Sequence, residues 1–145
     1  MLFRSIRLNI SNWRRPAPNT IPWDTKASGL YMICTLSKHE AEKQGYTDSL
    51  MLDHEGNIAE ATGANIFFKD KNGEIHTPIP DSFLDGITRR TVIGIAKSKN
   101  IKVHERKISE RTNLPLRRSL MFIRRIQLSP KSCLTTISET HFPYL

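Results

Sequence analysis

No apolar run in this 145-residue chain approaches the ~20 residues that a membrane-spanning helix needs. Cysteine is nearly absent. Cys34 and Cys133 stand far apart, in no redox or metal spacing, which excludes a disulfide scaffold and fits a reducing, cytoplasmic setting. The five histidines, His39, His54, His76, His104 and His141, are scattered. None has the i, i+4 partner or cysteine neighbours of a zinc motif, so no metal site is expected. Acid is scarce at both ends: residues 1–15 carry Arg4, Arg7, Arg14 and Arg15 with no carboxylate, and residues 110–145 set six basic residues against Glu110 and Glu139. The 12 basic and 12 acidic residues between them cancel, so the net charge of +8 belongs wholly to the ends. A nucleic-acid module more often carries a basic face within its folded part, so nucleic acid is not an expected partner.

What is present suits a single domain with a real core: 38% apolar and 25% charged residues. The start, MLFRSIRLNI, is basic like a transit peptide, but Ile6, Leu8 and Ile10 alternate with Arg7, Asn9 and Ser11. That period of two predicts a half-buried strand over 5–11. Pro16, Pro18 and Pro22 make the next stretch an extended connection. A helix is expected from about Thr25 to Gln44, with Leu30, Ile33, Cys34 and Ala41 on one face and Asp24 or Thr25 as its cap. Strands are expected at Ser49–Asp53, Ile58–Ala61, Asn65–Lys69, Glu74–Thr77 and Ile101–Ile108, with an Asn72-Gly73 hairpin turn and a second helix over Gly86–Lys99. Helices mixed with hairpin-linked strands predict an α+β, or mixed α/β, fold. LMFIRRIQL is a candidate for one more strand in an otherwise unplaced end.

Three local features bear on chemistry. Lys26 falls at the predicted start of the first helix, whose positive pole would help lower its pKa, as a Schiff-base lysine needs; a solvated surface lysine is the plainer alternative. Glu60, between alanines in Ile58–Ala61, either points outward from its strand or is buried and needs a cationic partner such as a protonated pyridine nitrogen. Asp85-Gly86-Ile87-Thr88 opens the second helix, where free backbone N–H groups and a hydroxyl make a phosphate site; ordinary capping by Asp85 is the alternative. Lysine, carboxylate and phosphate cradle together are three handles that a pyridoxal-phosphate site uses.

The stretches SNWRRPAPNTIPWDTKASGLYM, EATGANIFF and FLDGITRRTVIGIAK, in that order, closely resemble the fold-type IV (class IV) pyridoxal-phosphate aminotransferases, and most of all the branched-chain amino acid aminotransferases. The resemblance runs from about Ile10 to Ser109. It implies the C-terminal, cofactor-binding domain of the D-amino acid aminotransferase-like fold, over residues 1–113, with pyridoxal phosphate as cofactor. Lys26 would carry the Schiff base and shuttle the proton, and Tyr31 would bond near the cofactor's phenolic oxygen. Glu60 would pair with the pyridine nitrogen, and Leu84 would pack on the ring. Ile87 and Thr88 would hold the phosphate, while Thr62 and Asn65 lie in the matching motif without an assigned role. The implied reaction transfers the amino group of leucine, isoleucine or valine to 2-oxoglutarate, in branched-chain amino acid biosynthesis. Family members are usually homodimers with sites near the interface, so an intact relative is expected to dimerise. A D-amino acid aminotransferase or an aminodeoxychorismate lyase shares the same lysine, glutamate and turn, and a non-enzymatic remnant is the remaining alternative.

The pattern departs from the family at both ends. Relatives carry a smaller N-terminal domain before the point matching Ile10, which supplies an arginine to the phosphate, so little or no turnover is expected from this chain alone. They also continue into a Gly-Thr-Ala type loop where this sequence reads Phe122-Ile123-Arg124-Arg125-Ile126-Gln127. The Arg- and Ser-rich text past about Leu114 is read as an atypical, frameshifted or otherwise aberrant tail, 114–145. A neighbouring reading frame that encodes no Gly-Thr-Ala-like loop would remove that expectation.

Overall fold

The computed structural model of the chain describes residues 7–109 and 120–122. Among the described residues, seven strands fall into two sheets. The first has the order β1 (Leu8–Arg14), β2 (Asp48–Leu52), β3 (Ile58–Ala61). The second has the order β6 (Val103–Glu105), β5 (Ile75–Thr77), β4 (Ile66–Lys69), β7 (Leu120–Phe122). β1 pairs parallel to β2, with Leu8 opposite Asp48, and helix α1 (Met32–Lys43) makes the crossover. β2–β3 and β4–β5 are antiparallel neighbours, while β5 and β6 are again parallel across helix α2 (Ile87–Ser98). The expected mixed α/β architecture is therefore what forms.

Strand β4 shows how the alternation builds the interior. Ile66 and Phe68 face one cluster with Leu52, Ile58, Ala61 and Ile108. Phe67, between them, faces the other way and joins Ile75, Val92, Ile93 and Ala96. Period-two geometry thus lets one strand serve two cores. Both helices end on a left-handed residue. Gly45 (φ 80°) follows α1, with its N–H on Glu42 O and the Tyr46 N–H on Ala41 O; Asn100 (φ 57°) does the same after α2. Only glycine, or an asparagine that bonds locally, takes that conformation cheaply.

The first helix starts later than its sequence pattern predicts. Thr25 does not cap it: both its N–H and its hydroxyl turn back to Pro22 O, closing a local turn. Ala27 stays extended at φ −86° and ψ 139°, a short 3-10 turn covers Ser28–Tyr31, and α1 begins at Met32 without a side-chain cap. The last predicted strand, Ile101–Ile108, is shorter at Val103–Glu105, and the first lies three residues further on than expected. Of the proposed tail, only Leu120–Phe122 lies within the described residues; it pairs antiparallel with β4, as the strand anticipated within LMFIRRIQL.

Candidate functional site

The turn from β3 to β4 is where the two sheets meet. Ala61 N–H bonds to Ala64 O across Thr62-Gly63, and this turn, the segment 84–88 and the segment 25–31 face a common cavity of about 680 Å³. Lys26, Tyr31, Glu60, Leu84, Ile87 and Thr88 all line it. The structure therefore brings together every residue that the sequence patterns singled out, from three separate parts of the chain.

Glu60 does not point out to solvent. Its side chain is 13% exposed, and its Oε1 lies 3.4 Å from Nε of Arg15. Burial pushes its carboxyl up to about 7, against the pull of the Arg15 guanidinium. Arg15 is itself only 4% exposed and anchors this corner. Its Nε also donates to Ser82 O, and its Nη1 donates to Leu30 O (3.1 Å) and to the Cys34 thiol sulfur (3.3 Å). The guanidinium so ties together the proline-rich segment, the start of the first helical stretch and the loop before α2. Sequence reasoning missed Arg15 as part of the site. The available signal was an arginine directly before a proline, at the point where a strand ends, but nothing in that pattern shows that the side chain turns inward.

Tyr31 stands at the same mouth, and its phenol is pushed up by burial, then by the nearby Glu60 and Cys34, with Arg15 opposing. It is thus kept as an O–H donor. Cys34 is a free, buried thiol, also pushed up by burial. Lys26 is exposed on the irregular segment before the 3-10 turn. It does not sit at a helix start, so the expected effect of a helix pole on it is withdrawn; what holds it at the cavity is the Pro22–Thr25 turn.

The N-terminus of α2 is uncapped. Its cap residue is Gly86, extended at φ −63° and ψ 146°, with no side-chain bond to the first turn. Asp85, the expected cap, pairs instead with Arg89, Oδ1 to Nη1 at 2.8 Å. Arg89 is 2% exposed and also binds Pro78 O and Glu105, which fixes the angle at which α2 meets the cavity. The backbone N–H groups of the first turn are left to an outside acceptor, the arrangement that favours anions. Asn65, which carried no role in the sequence, donates to Leu84 O at 3.1 Å and props up this segment. A Cβ on Gly86 would sit 2.5 Å from Asn65 Oδ1. Gly86→Ala is therefore expected to cost about 1–3 kcal/mol in urea unfolding, by overpacking. It should also weaken inorganic phosphate or pyridoxal phosphate binding, read by fluorescence titration. An unchanged affinity would show that the turn is not where the anion sits.

The family model described as amino-transferase class IV matches residues 3–112. The chain is 48% identical over 101 residues to a probable branched-chain-amino-acid aminotransferase of Rickettsia bellii, covering 70% of this chain and 35% of that protein. It is 41% identical over 109 residues to the branched-chain-amino-acid aminotransferase of Escherichia coli K12, covering 74% and 35%. Among solved structures it is similar to the branched-chain aminotransferase of Thermoproteus uzoniensis with norvaline (TM-score 0.74, 34% identity, 81% and 39% coverage). It is also similar to the branched-chain amino acid aminotransferase of Thermobaculum terrenum in its PLP, or holo, form (TM-score 0.69, 35% identity, 74% and 35% coverage). The chain spans about 35% of the length of the curated relatives it matches.

Proposed function

Because this chain belongs to the class IV aminotransferase family, we propose that it is the cofactor-binding part of a pyridoxal-phosphate enzyme that moves the amino group of leucine, isoleucine or valine to 2-oxoglutarate. The observation that carries the reading is the convergence, on one cavity, of an exposed lysine, a buried carboxyl and an uncapped helix N-terminus. The cavity lies within the ~300–1,000 Å³ of small-molecule sites. Its donor set fits the cofactor, with an amine for the aldehyde, an acid for the ring nitrogen and N–H groups for the phosphate.

When bound, pyridoxal phosphate supplies an aldehyde that condenses with amino groups and a ring that takes up the electron pair left by a departing Cα proton. The residues of this chain divide the remaining work. Lys26 Nζ would hold the cofactor through its aldehyde and would serve as the base that takes and returns the proton. Glu60 would set its carboxylate beside the ring nitrogen and hold that nitrogen protonated, so that the ring can take up electrons. Tyr31 donates its phenolic hydrogen to the ring oxygen. Leu84 covers the ring face, and the Ile87 and Thr88 N–H groups, with the Thr88 hydroxyl, bind the phosphate.

The wider reading takes residues 1–113 as this domain and 114–145 as an atypical basic tail that nonetheless lends Leu120–Phe122 to the second sheet. It takes the intact enzyme as a homodimer of the cytoplasm, without a nucleic-acid partner. Cys34 as a free buried thiol supports the reducing compartment, and the neutral charge balance of the middle of the chain argues against a nucleic-acid face. No helix among the described residues is long and apolar enough to cross a membrane.

The test is to mix the chain with pyridoxal phosphate, reduce with borohydride and map the adduct by mass spectrometry. One equivalent on Lys26, absent from Lys26→Ala, is the expected result. Labelling scattered over many lysines, or sparing Lys26, would overturn the proposal.

A further inference from the structure

Away from the cavity, the parallel pairing of β5 and β6 brings together two histidines that are remote in sequence. His76 lies opposite His104 in the register, and their rings stack with centroids 4.6 Å apart and planes 10° from parallel. Two carboxylates flank them. Glu74, two residues before His76 and so on the same face of the chain, places Oε2 at 2.6 Å from His104 Nε2. Asp70, at the start of the β4–β5 turn, places Oδ2 at 3.2 Å from His76 Nε2. We propose that Glu74, His76 and His104 form a binding site for a divalent transition-metal cation of the zinc class.

One donor atom from each of the three residues lies within 4.8 Å of the others. Zinc bonds to nitrogen and oxygen measure about 2.0–2.2 Å, so two ligands of one ion stand at most about 4 Å apart. To hold one ion the stacked rings must turn from parallel toward a common point and the Glu74–His104 hydrogen bond must open, and the partial exposure of Glu74 and His104 leaves room for both changes. His76 is the buried member, 7% exposed, and its Nδ1 has no hydrogen-bond partner. Because Asp70 engages Nε2, Nδ1 is the ring nitrogen left over to offer a lone pair to a metal. Asp70 fixes the ring orientation in the way that carboxylates do behind metal-binding histidines, and the N–H groups of Asn72 and Glu74 hold Asp70 in turn. Lys102 lies 3.7 Å from the other oxygen of Glu74, Oε1, leaving Oε2 toward the histidines.

Two plain histidine–carboxylate pairs account for less. They leave the buried Nδ1 of His76 without a partner. Two imidazoles with one carboxylate select zinc, cobalt, nickel or copper over the all-oxygen preference of magnesium and calcium. The long gap from His76 to His104 hid the cluster from a reading based on ligand spacing.

The experiment uses the whole chain, freed of metal by chelation and dialysed against zinc sulfate alone at pH 7.5, with cobalt(II) absorption as a second probe. One equivalent of zinc is expected, tetrahedral cobalt bands between 500 and 650 nm should appear, roughly as four-coordinate sites give, and the ring proton resonances of His76 and His104 should move together. Glu74→Gln and His104→Gln, both at partly exposed positions, should each weaken retention at least about tenfold, since each removes one ligand. Retention of no zinc would overturn the proposal. So would one equivalent held equally by both variants, or resonance shifts confined to the other histidines.

Discussion

Arg15→Leu is expected to destabilise the chain by about 2–4 kcal/mol at pH 8; losing the cation beside Glu60 accounts for up to about 1.4 kcal/mol of this, the cost at pH 8 of protonating a carboxyl pushed up to about 7. It also strips a donor from the carbonyls of Leu30 and Ser82. The two losses separate by pH. At pH 5.5 the Glu60 carboxyl, pushed up to about 7, holds its proton and needs no cation, while the two carbonyls still lack their donor. Urea unfolding at the two pH values should therefore show a penalty that shrinks, without vanishing, on acidification. A double variant, Arg15→Leu with Glu60→Leu, should recover much of the loss at pH 8, since an apolar pair can replace a buried ionic one at little cost. A penalty independent of pH would mean that Arg15 serves only as a hydrogen-bond anchor.

The same carboxyl gives the chain an unusual pH dependence. Its ordinary value is 4.5, and burial raises it to about 7 in the folded state. Below the lower value both states are protonated and the group contributes no slope. Between the two values the folded state binds more protons than the unfolded one, so stability falls as pH rises, and it levels off above the higher value. At 1.36 kcal/mol per pKa unit, the total fall is about 3 kcal/mol. Glu55, Asp70 and Glu74 are held below their usual range and act in the opposite sense, with stability lost as pH falls through their lowered values. The clean measurement is the wild-type profile minus that of Glu60→Gln from pH 4.5 to 8, in which those contributions cancel. A difference that stays flat would show that Glu60 is solvated. With pyridoxal phosphate bound, the ring nitrogen becomes a second cation beside Glu60, and the slope should flatten.

Local patterns in the sequence carried much of this arrangement. Ile58–Ala61 appears as the strand expected there, and the Asp70–Gly73 turn links β4 to β5 where Asn72-Gly73 placed it. The ordered motifs brought Lys26, Glu60 and Thr88 to one cavity although no short-range pattern connects them. What stayed hidden depends on contacts between distant segments. Arg15 is sequestered because carbonyls from Leu30 and Ser82 come to meet it, and neither residue advertises that in its neighbourhood. Thr25 looked like a cap because it precedes an apolar period, but the proline three residues earlier offered its carbonyl first. Asp85 lost its capping role to Arg89, a competition visible only once α2 is folded.

Strand β4 has a consequence for how the molecule breathes. Since Ile66 and Phe68 belong to one apolar cluster and Phe67 to the other, neither cluster can loosen without tearing the same three residues from their ladder. The amide protons of Ile66–Phe68 should therefore exchange with solvent only when the whole unit opens. The lysine arm is the reverse case: residues 24–29 are exposed, and the backbone bonds at its two ends, Thr25 to Pro22 and Leu30 to Ala27, each reach only three residues back. A floor bearing Glu60 thus faces an arm tied down only by short-range backbone bonds, and Lys26 sits on that arm.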